Sequence, residues 1–233
     1  MPLLDHCMCK DHFSVLWVCL TLSAISFLEL ALKHGAVIVT PDYRLRPEHE
    51  MTDGIDDIRS FWKWVEEHMK DVVHQKFPKL EIDLNNLLVG GESAGGYHTA
   101  QTALLGMTKL PIKVLFLQYP ALDLANGLRV PETLGQDGVE HPALFSEVCP
   151  LSLVEDYLAT IDKDKLCTRA KFGTRMPLMK ALVQANQFVD ISGDNAWIDP
   201  MISLETAGKL PPMLLYQSKE DESVSMRPEP FLP

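Results

Sequence analysis

A chain of 233 residues that is 46% hydrophobic and 23% charged has the make-up of an ordinary globular domain, richer in apolar residues than disordered chains are. Its 21 Lys+Arg stand against 32 Asp+Glu, a formal net charge of −11, and an isoelectric point near 5.1 leaves no basic footprint for nucleic acid or anionic lipid. Five cysteines (Cys7, Cys9, Cys19, Cys149, Cys167) are an odd count with three crowded near the start, a pattern of free thiols in a reducing, cytoplasmic compartment rather than of a disulfide framework.

Phe13 to Leu32 is about the length of a membrane span and holds Glu29 as its only charge. A signal peptide needs a basic leader, whereas residues 1–12 carry Asp5 and Asp11 against Lys10. Glu29, Thr21, Ser23 and Ser26 dilute the run, and no basic cluster flanks it, which argues against an anchor. A buried segment of the core is therefore expected, with helix over Ser26 to Lys33. Val15 to Leu20 stays open between helix and strand, because periodicity does not separate two short buried elements. His6, Cys7, Cys9 and His12 have no second ligand pair at zinc-finger spacing, so no metal site is assigned.

Further along, short β-branched runs alternate with amphipathic helices, the pattern of a parallel sheet covered on both faces. Gly35 caps the first helix and Ala36 to Thr40 reads as a strand. A helix is expected to open at Thr52 or Asp53 and to present Ile55, Ile58, Trp62, Val65, Met69 and Val72 on one face. Leu87 to Val89 is the next strand, followed by Gly90-Gly91-Glu92-Ser93-Ala94-Gly95-Gly96 and a helix running to Leu105. Lys113 to Gln118 and Met213 to Gln217 are two more strands. The long stretch between them holds a helix beginning at Ser152, with Glu155 completing a capping box, and another near Met179 to Val189. So long an excursion between strands suggests an inserted cap over 124–199.

The chemistry gathers at Gly91-Glu92-Ser93-Ala94-Gly95. A bare Gly-x-Ser-x-Gly arises by chance in about one chain in ten of this length; its context carries the weight. Here a strand precedes it and a helix follows, as a nucleophilic serine on a strained strand-to-helix turn requires, with glycines where side chains would meet neighbouring backbone. That turn lifts Ser93 to a helix start, where the Ala94 amide faces a developing oxyanion.

These blocks resemble the hormone-sensitive-lipase-like branch of the α/β-hydrolases, which includes carboxylesterases and arylacetamide deacetylase-like enzymes. Gly91-Glu92-Ser93-Ala94-Gly95-Gly96 is similar to that branch's nucleophile elbow, and Pro41-Asp42-Tyr43-Arg44-Leu45-Arg46-Pro47-Glu48-His49 to its Asp-Tyr-Arg-Leu-x-Pro-Glu block. Tyr119-Pro120 with Leu122-Asp123 is similar to the segment after the following strand. The resemblance implies an α/β-hydrolase fold over 29–233, a divergent apolar segment over 1–28, Ser93 as nucleophile and a small-molecule ester as substrate. It implies no cofactor. Lys219-Glu220-Asp221 after the strand at Met213 resembles the turn that delivers the acid, which makes Asp221 the expected acid. Asp42, Tyr43, Arg44 and Glu48 are expected to pin a loop rather than to catalyse.

Such a triad runs serine, acid, histidine along the chain, yet all eight histidines, the last being His141, precede Asp221. His98 is expected to be packed or solvated rather than to act as base. Residues 1–28 contain no glycine, so the branch's His-Gly-Gly oxyanion block has no match. The strand leading to that block lies, in the family, between those matched by Ala36 to Thr40 and Leu87 to Val89. Its loss leaves unpaired backbone unless Val15 to Leu20 fills the gap. Three readings follow from this sequence: an ester hydrolase truncated at both ends and weak or inactive as this chain, a ligand-binding or receptor protein on the same fold, or a non-functional fragment.

Overall fold

The computed structural model describes residues 13–19, 24–128, 147–162, 168 and 173–218, with the backbone alone for 13–19 and 24–26. Among these residues five strands form one parallel sheet in the order β2-β1-β3-β4-β5. They are β1 (Phe13–Cys19), β2 (Ala36–Val39), β3 (Ile82–Glu92), β4 (Ile112–Gln118) and β5 (Met213–Tyr216).

The ambiguous N-terminal run is a strand, and it lies inside the sheet. Ser14 to Trp17 of β1 run opposite Ala36 to Val39 of β2, and Val15 to Cys19 run opposite Leu87 to Gly91 of β3. The chain therefore fills the interior position that had no recognisable match, and the sheet begins before residue 29. Both neighbouring strands gain ladder partners that buried backbone requires.

Successive β3 residues point to opposite faces, and the two faces recruit different helices. Leu88 turns to α1 (Ala24–His34), whose Phe27 and Ala31 pack there with Ala36, Ile38 and Phe116. Leu87 and Val89 turn to α2 (Met51–Lys76) and meet Ile58, Trp62, Val65 and Met69. The expected apolar stripe is thus buried from Ile55 to Met69, but Val73 and not Val72 continues it against this core. The helix starts a residue or two earlier than expected, because the Glu50 amide donates to the Asp53 carboxylate at 2.9 Å and closes the first turn. Next to it lies α3 (Ala94–Leu104), tied to α2 by the Trp62 indole N–H, which donates to Thr102 Oγ1 at 3.1 Å.

Between β4 and β5 lie α4 (Leu124–Gly127), α5 (Ser152–Thr160), α6 (Met176–Gln184), a 3-10 helix (Gly193–Ile198) and α7 (Pro200–Thr206). Two expectations need correction here. Leu151, not Ser152, is the cap of α5, and no side chain caps it, so the Ser152/Glu155 box does not form: Ser152 is already inside the first turn. The second helix lies earlier than 179–189. Pro177 sits in its first turn, where a fixed φ and a missing N–H cost nothing. Its end comes at Asn186, φ 55°, with the Gln187 amide donating to the Leu182 carbonyl at 2.8 Å and that of Asn186 to Val183 at 3.0 Å, a Schellman closure.

Candidate active site

Ser93 stands between the end of β3 and the start of α3 with φ 51° and ψ −121°, a conformation that costs a residue bearing Cβ on the order of 1–3 kcal/mol. Three features hold it there. The Ser93 amide donates to the Gln118 carbonyl at the end of β4 at 3.0 Å, and the Ser93 carbonyl accepts from the Tyr97 amide at 3.0 Å as the first turn of α3. A Cβ on Gly91 would lie 2.3 Å from the Gly95 carbonyl oxygen, and one on Gly96 would lie 2.7 Å from Pro120 Cβ. These two glycines let the helix start fold back against the strand that delivers it. The amides of Ala94, Gly95 and Gly96 head α3, where no intrahelical carbonyl reaches them.

Glu92 is fully buried beneath this turn. Its Oε2 accepts from the Tyr119 hydroxyl at 2.5 Å, and Tyr119, φ 35°, donates its amide to the Tyr216 carbonyl at 2.7 Å. The ends of β3, β4 and β5 are therefore laced together at the edge that carries Ser93. Because Ser93 pays for its backbone angles, Ser93→Gly is expected to raise the unfolding free energy by about 1 kcal/mol. Urea titration checks this, and a loss of stability would show that the serine is relaxed.

His98, one turn further along α3, is packed and not solvated. Its ring is 4% exposed and lies edge-on to Tyr43, with centroids 4.4 Å apart, and to Tyr97 at 5.0 Å. Burial pushes its pKa down to about 4, partly opposed by the Asp57 carboxylate, and its Nδ1 has no hydrogen-bond partner. Neither feature suits a base poised near neutral pH. Asp221, His141 and the cluster His6, Cys7, Cys9 and His12 lie outside the described residues, as do 20–23, which link β1 to α1.

The Asp-Tyr-Arg block does pin a loop. The Arg44 guanidinium donates Nε to both Asp57 oxygens, at 2.9 and 3.1 Å, and reaches the Asp53 carboxylate at 3.3 Å. Asp199 was not foreseen: it is 1% exposed and accepts from the amides of Met201 at 2.8 Å and Ala125 at 2.9 Å. Burial raises its pKa despite those donors. An Asp-Pro pair is a helix-start signal that could have revealed it. An apolar pocket between α3, α7 and the ends of β4 and β5, lined by Ala100, Leu104, Leu117, Leu204 and Met213, does not include Ser93.

A parallel sheet flanked by helices, with a strained serine between a strand and a helix, defines the α/β-hydrolase class. The family model described as "alpha/beta hydrolase fold" matches residues 23–189, and the chain belongs to that family. It is 27% identical over 203 residues to the probable carboxylesterase M8 of Phoma sp., covering 86% of this chain and 62% of that protein. It is 28% identical over 192 residues to the probable carboxylesterase clz11 of Cochliobolus lunatus, covering 81% of this chain and 86% of that protein. Among solved structures, esterase B of Lactobacillus rhamnosis superposes with a TM-score of 0.52 at 14% identity, over 88% of this chain and 55% of that one. A lipase/esterase of Lactobacillus plantarum gives 0.53 at 13% identity, over 92% and 68%. These structures share the fold. The chain spans less than two thirds of the Phoma relative and little more than half of esterase B.

Proposed function

We propose that the chain derives from a carboxylic ester hydrolase in which Ser93 is the nucleophile, Asp221 the acid and the Ala94 amide one oxyanion donor, and that the 233-residue polypeptide by itself turns over little or no ester. The observation that carries the nucleophile is the backbone of Ser93, φ 51° at the end of β3, enforced by neighbours that leave no room for a Cβ at Gly91 or Gly96. Family membership and relatives named as probable carboxylesterases support the reaction class. In that chemistry Ser93 Oγ attacks the ester carbonyl carbon and its proton passes to a base. The alcohol then leaves with a proton, and water releases the acid from the acyl-serine. Asp221 serves by orienting a histidine, and no histidine follows it in the 233 residues. Without a base the hydroxyl keeps an alcohol-like pKa and attacks slowly at neutral pH.

The substrate in this reading is a small-molecule ester, and residues 124–199 are a cap on a domain whose sheet includes Phe13–Cys19. Among the described residues no helix is long and apolar enough to cross a membrane. A cytoplasmic location belongs to the same reading, supported by the odd cysteine count and the buried free thiol of Cys149.

Hydrolysis of a small activated ester and labelling by a fluorophosphonate probe test the proposal. The 233-residue chain is expected to stay near the background set by Ser93→Ala in both assays. Extension with the histidine-bearing C-terminal strand and helix of a related esterase, together with its N-terminal glycine block, is expected to raise both signals by about three powers of ten or more. Rapid turnover by the unmodified chain that Ser93→Ala abolishes would overturn the claim of a missing base, and His98 and His141 would be the first replaced. An extended chain that Ser93→Ala does not silence would overturn the nucleophile.

A further inference from the structure

The helices between β4 and β5 meet the loop after β2 at a charged cluster that the proposed chemistry does not use. Glu48 sits on that loop with its side chain 5% exposed. Arg175, just before α6, donates Nη1 to Glu48 Oε1 at 2.9 Å and Nη2 to Glu48 Oε2, the bidentate fork that makes such pairs specific. Tyr157 of α5 donates its hydroxyl to the same Oε1 and accepts from Arg175 Nη1 at 3.0 Å. Arg175 also donates to the Arg46 carbonyl at 2.5 Å, and the Arg46 guanidinium donates to the carbonyl of Gln187, past the end of α6. Burial alone would raise the Glu48 pKa; the hydrogen bonds from Arg175 and Tyr157 outweigh it and hold the group ionised, below the usual carboxylate value.

The apolar packing around this cluster is divided. Val154, Ala181, Leu182 and Cys149 bury one another, with Leu158 and Phe188 against them, in a cluster that contains no residue of the sheet. Beyond this pair of helices the chain is tied firmly to the body: Val189 and Trp197 pack with Ile55 and Tyr97, and Tyr97 and Gln101 donate to the Ile198 carbonyl at 3.1 and 2.7 Å. So α5 and α6 share their own small core, meet the loop after β2 through polar contacts, and touch the apolar packing of the body at Leu128, which lies against both Val183 of α6 and the cluster of Ile55 and Tyr97. That loop leaves the C-terminal end of β2, and Ser93 follows the C-terminal end of β3. In a parallel sheet these ends lie on one edge.

We propose that Glu48, Arg175 and Tyr157 form a latch that holds the α5–α6 pair against the Ser93 edge of the sheet, and that this pair opens as a unit when the latch is broken. Removing one partner of a buried, hydrogen-bonded ion pair leaves the other charge uncompensated, and the penalty is relieved by letting Arg175 swing into water with the helix that carries it. The body keeps its own packing and has no reason to open. The latch concerns motion and holds whether or not Ser93 acts on esters.

Hydrogen exchange on the full 233-residue chain reads the proposal directly. In Glu48→Gln, peptides covering 152–160 and 176–184 are expected to exchange about 10-fold faster or more, while those covering 55–69 and 82–92 change less than about twofold. Arg175→Gln is expected to give the same pattern, and the double variant to open no faster than the faster single one, because both remove one interaction. Tyr157→Phe removes a single donor and is expected to give a weaker version of the pattern in a protein that keeps its fold. Equal acceleration of the sheet and of α5–α6 would overturn the latch, since Glu48 would then be an ordinary part of the core. Unchanged exchange at 152–160 and 176–184 would overturn it too.

Discussion

Gly91→Ala is expected to lower the unfolding free energy by about 4 kcal/mol, at the exceptional end of single substitutions. The added Cβ would lie 2.3 Å from the Gly95 carbonyl oxygen, 2.4 Å from its carbon and 2.9 Å from the Gly96 nitrogen. All three are main-chain atoms of the first turn of α3, so no flexible side chain can move aside. Relief requires α3 to retreat from β3, which would break the Ser93 amide bond to Gln118 and the Tyr97 amide bond to Ser93. A typical domain has only about 5–15 kcal/mol to lose, so much of the soluble yield should go with it. Gly127→Ala is the control: nothing lies within 4 Å of its Cβ position, and its effect is expected to stay within about 0.5 kcal/mol. Chemical denaturation compares the two. A Gly91→Ala chain as stable as the Gly127→Ala chain would show that the strand and helix do not meet at that distance.

Acidification is expected to remove stability through His98 well before the carboxylates respond. Burial holds its folded pKa at about 4, against an ordinary value of 6.5. Between those limits the unfolded chain binds a proton that the folded chain refuses, so stability falls as pH falls through this window. The full effect is about 3 kcal/mol, from roughly 1.4 kcal/mol per pKa unit. Glu48 acts lower: its depressed pKa contributes stability that is present above the ordinary carboxylate value and is lost only below it. His98→Phe keeps a ring between Tyr43 and Tyr97 and removes the titration. Its unfolding free energy is expected to be flatter than that of the parent from pH 7 to pH 4.5, so that the difference between the two curves shifts in favour of the variant as pH falls. Parallel curves, or a His98 ring that titrates near 6.5 by NMR, would show that the side chain is reached by solvent.

How much of this was legible in the sequence depends on the range of the interaction concerned. The turn at Ser93 was readable because its requirements are local: a short apolar strand, glycines where neighbouring backbone comes close, and a helix. The buried face of α2 was readable from the spacing of Ile58, Trp62, Val65 and Met69. The register of α6 was misread because an apolar run continues past its end, and Asn186, at φ 55°, closed the helix where composition gave no glycine. The box at Ser152 failed for a related reason: a Ser-x-x-Glu spacing marks a helix start, but one residue of offset puts the serine inside the turn.

The sequence by itself determined the parallel α/β class, the strained serine between β3 and α3 and the faces that α2 and the strands bury, since steric limits on φ and the periods of 3.6 and 2 are written in neighbouring residues. Only the tertiary structure decided that Phe13–Cys19 is a strand and that it lies between β2 and β3. An apolar run of that length satisfies helix and strand equally until other strands offer it a ladder. It also decided that His98 is sealed between two tyrosines and that Glu48 meets Arg175 across 127 residues of chain. Charge and ring pairings at that range follow from which surfaces the folded elements bring together, and no local spacing encodes them.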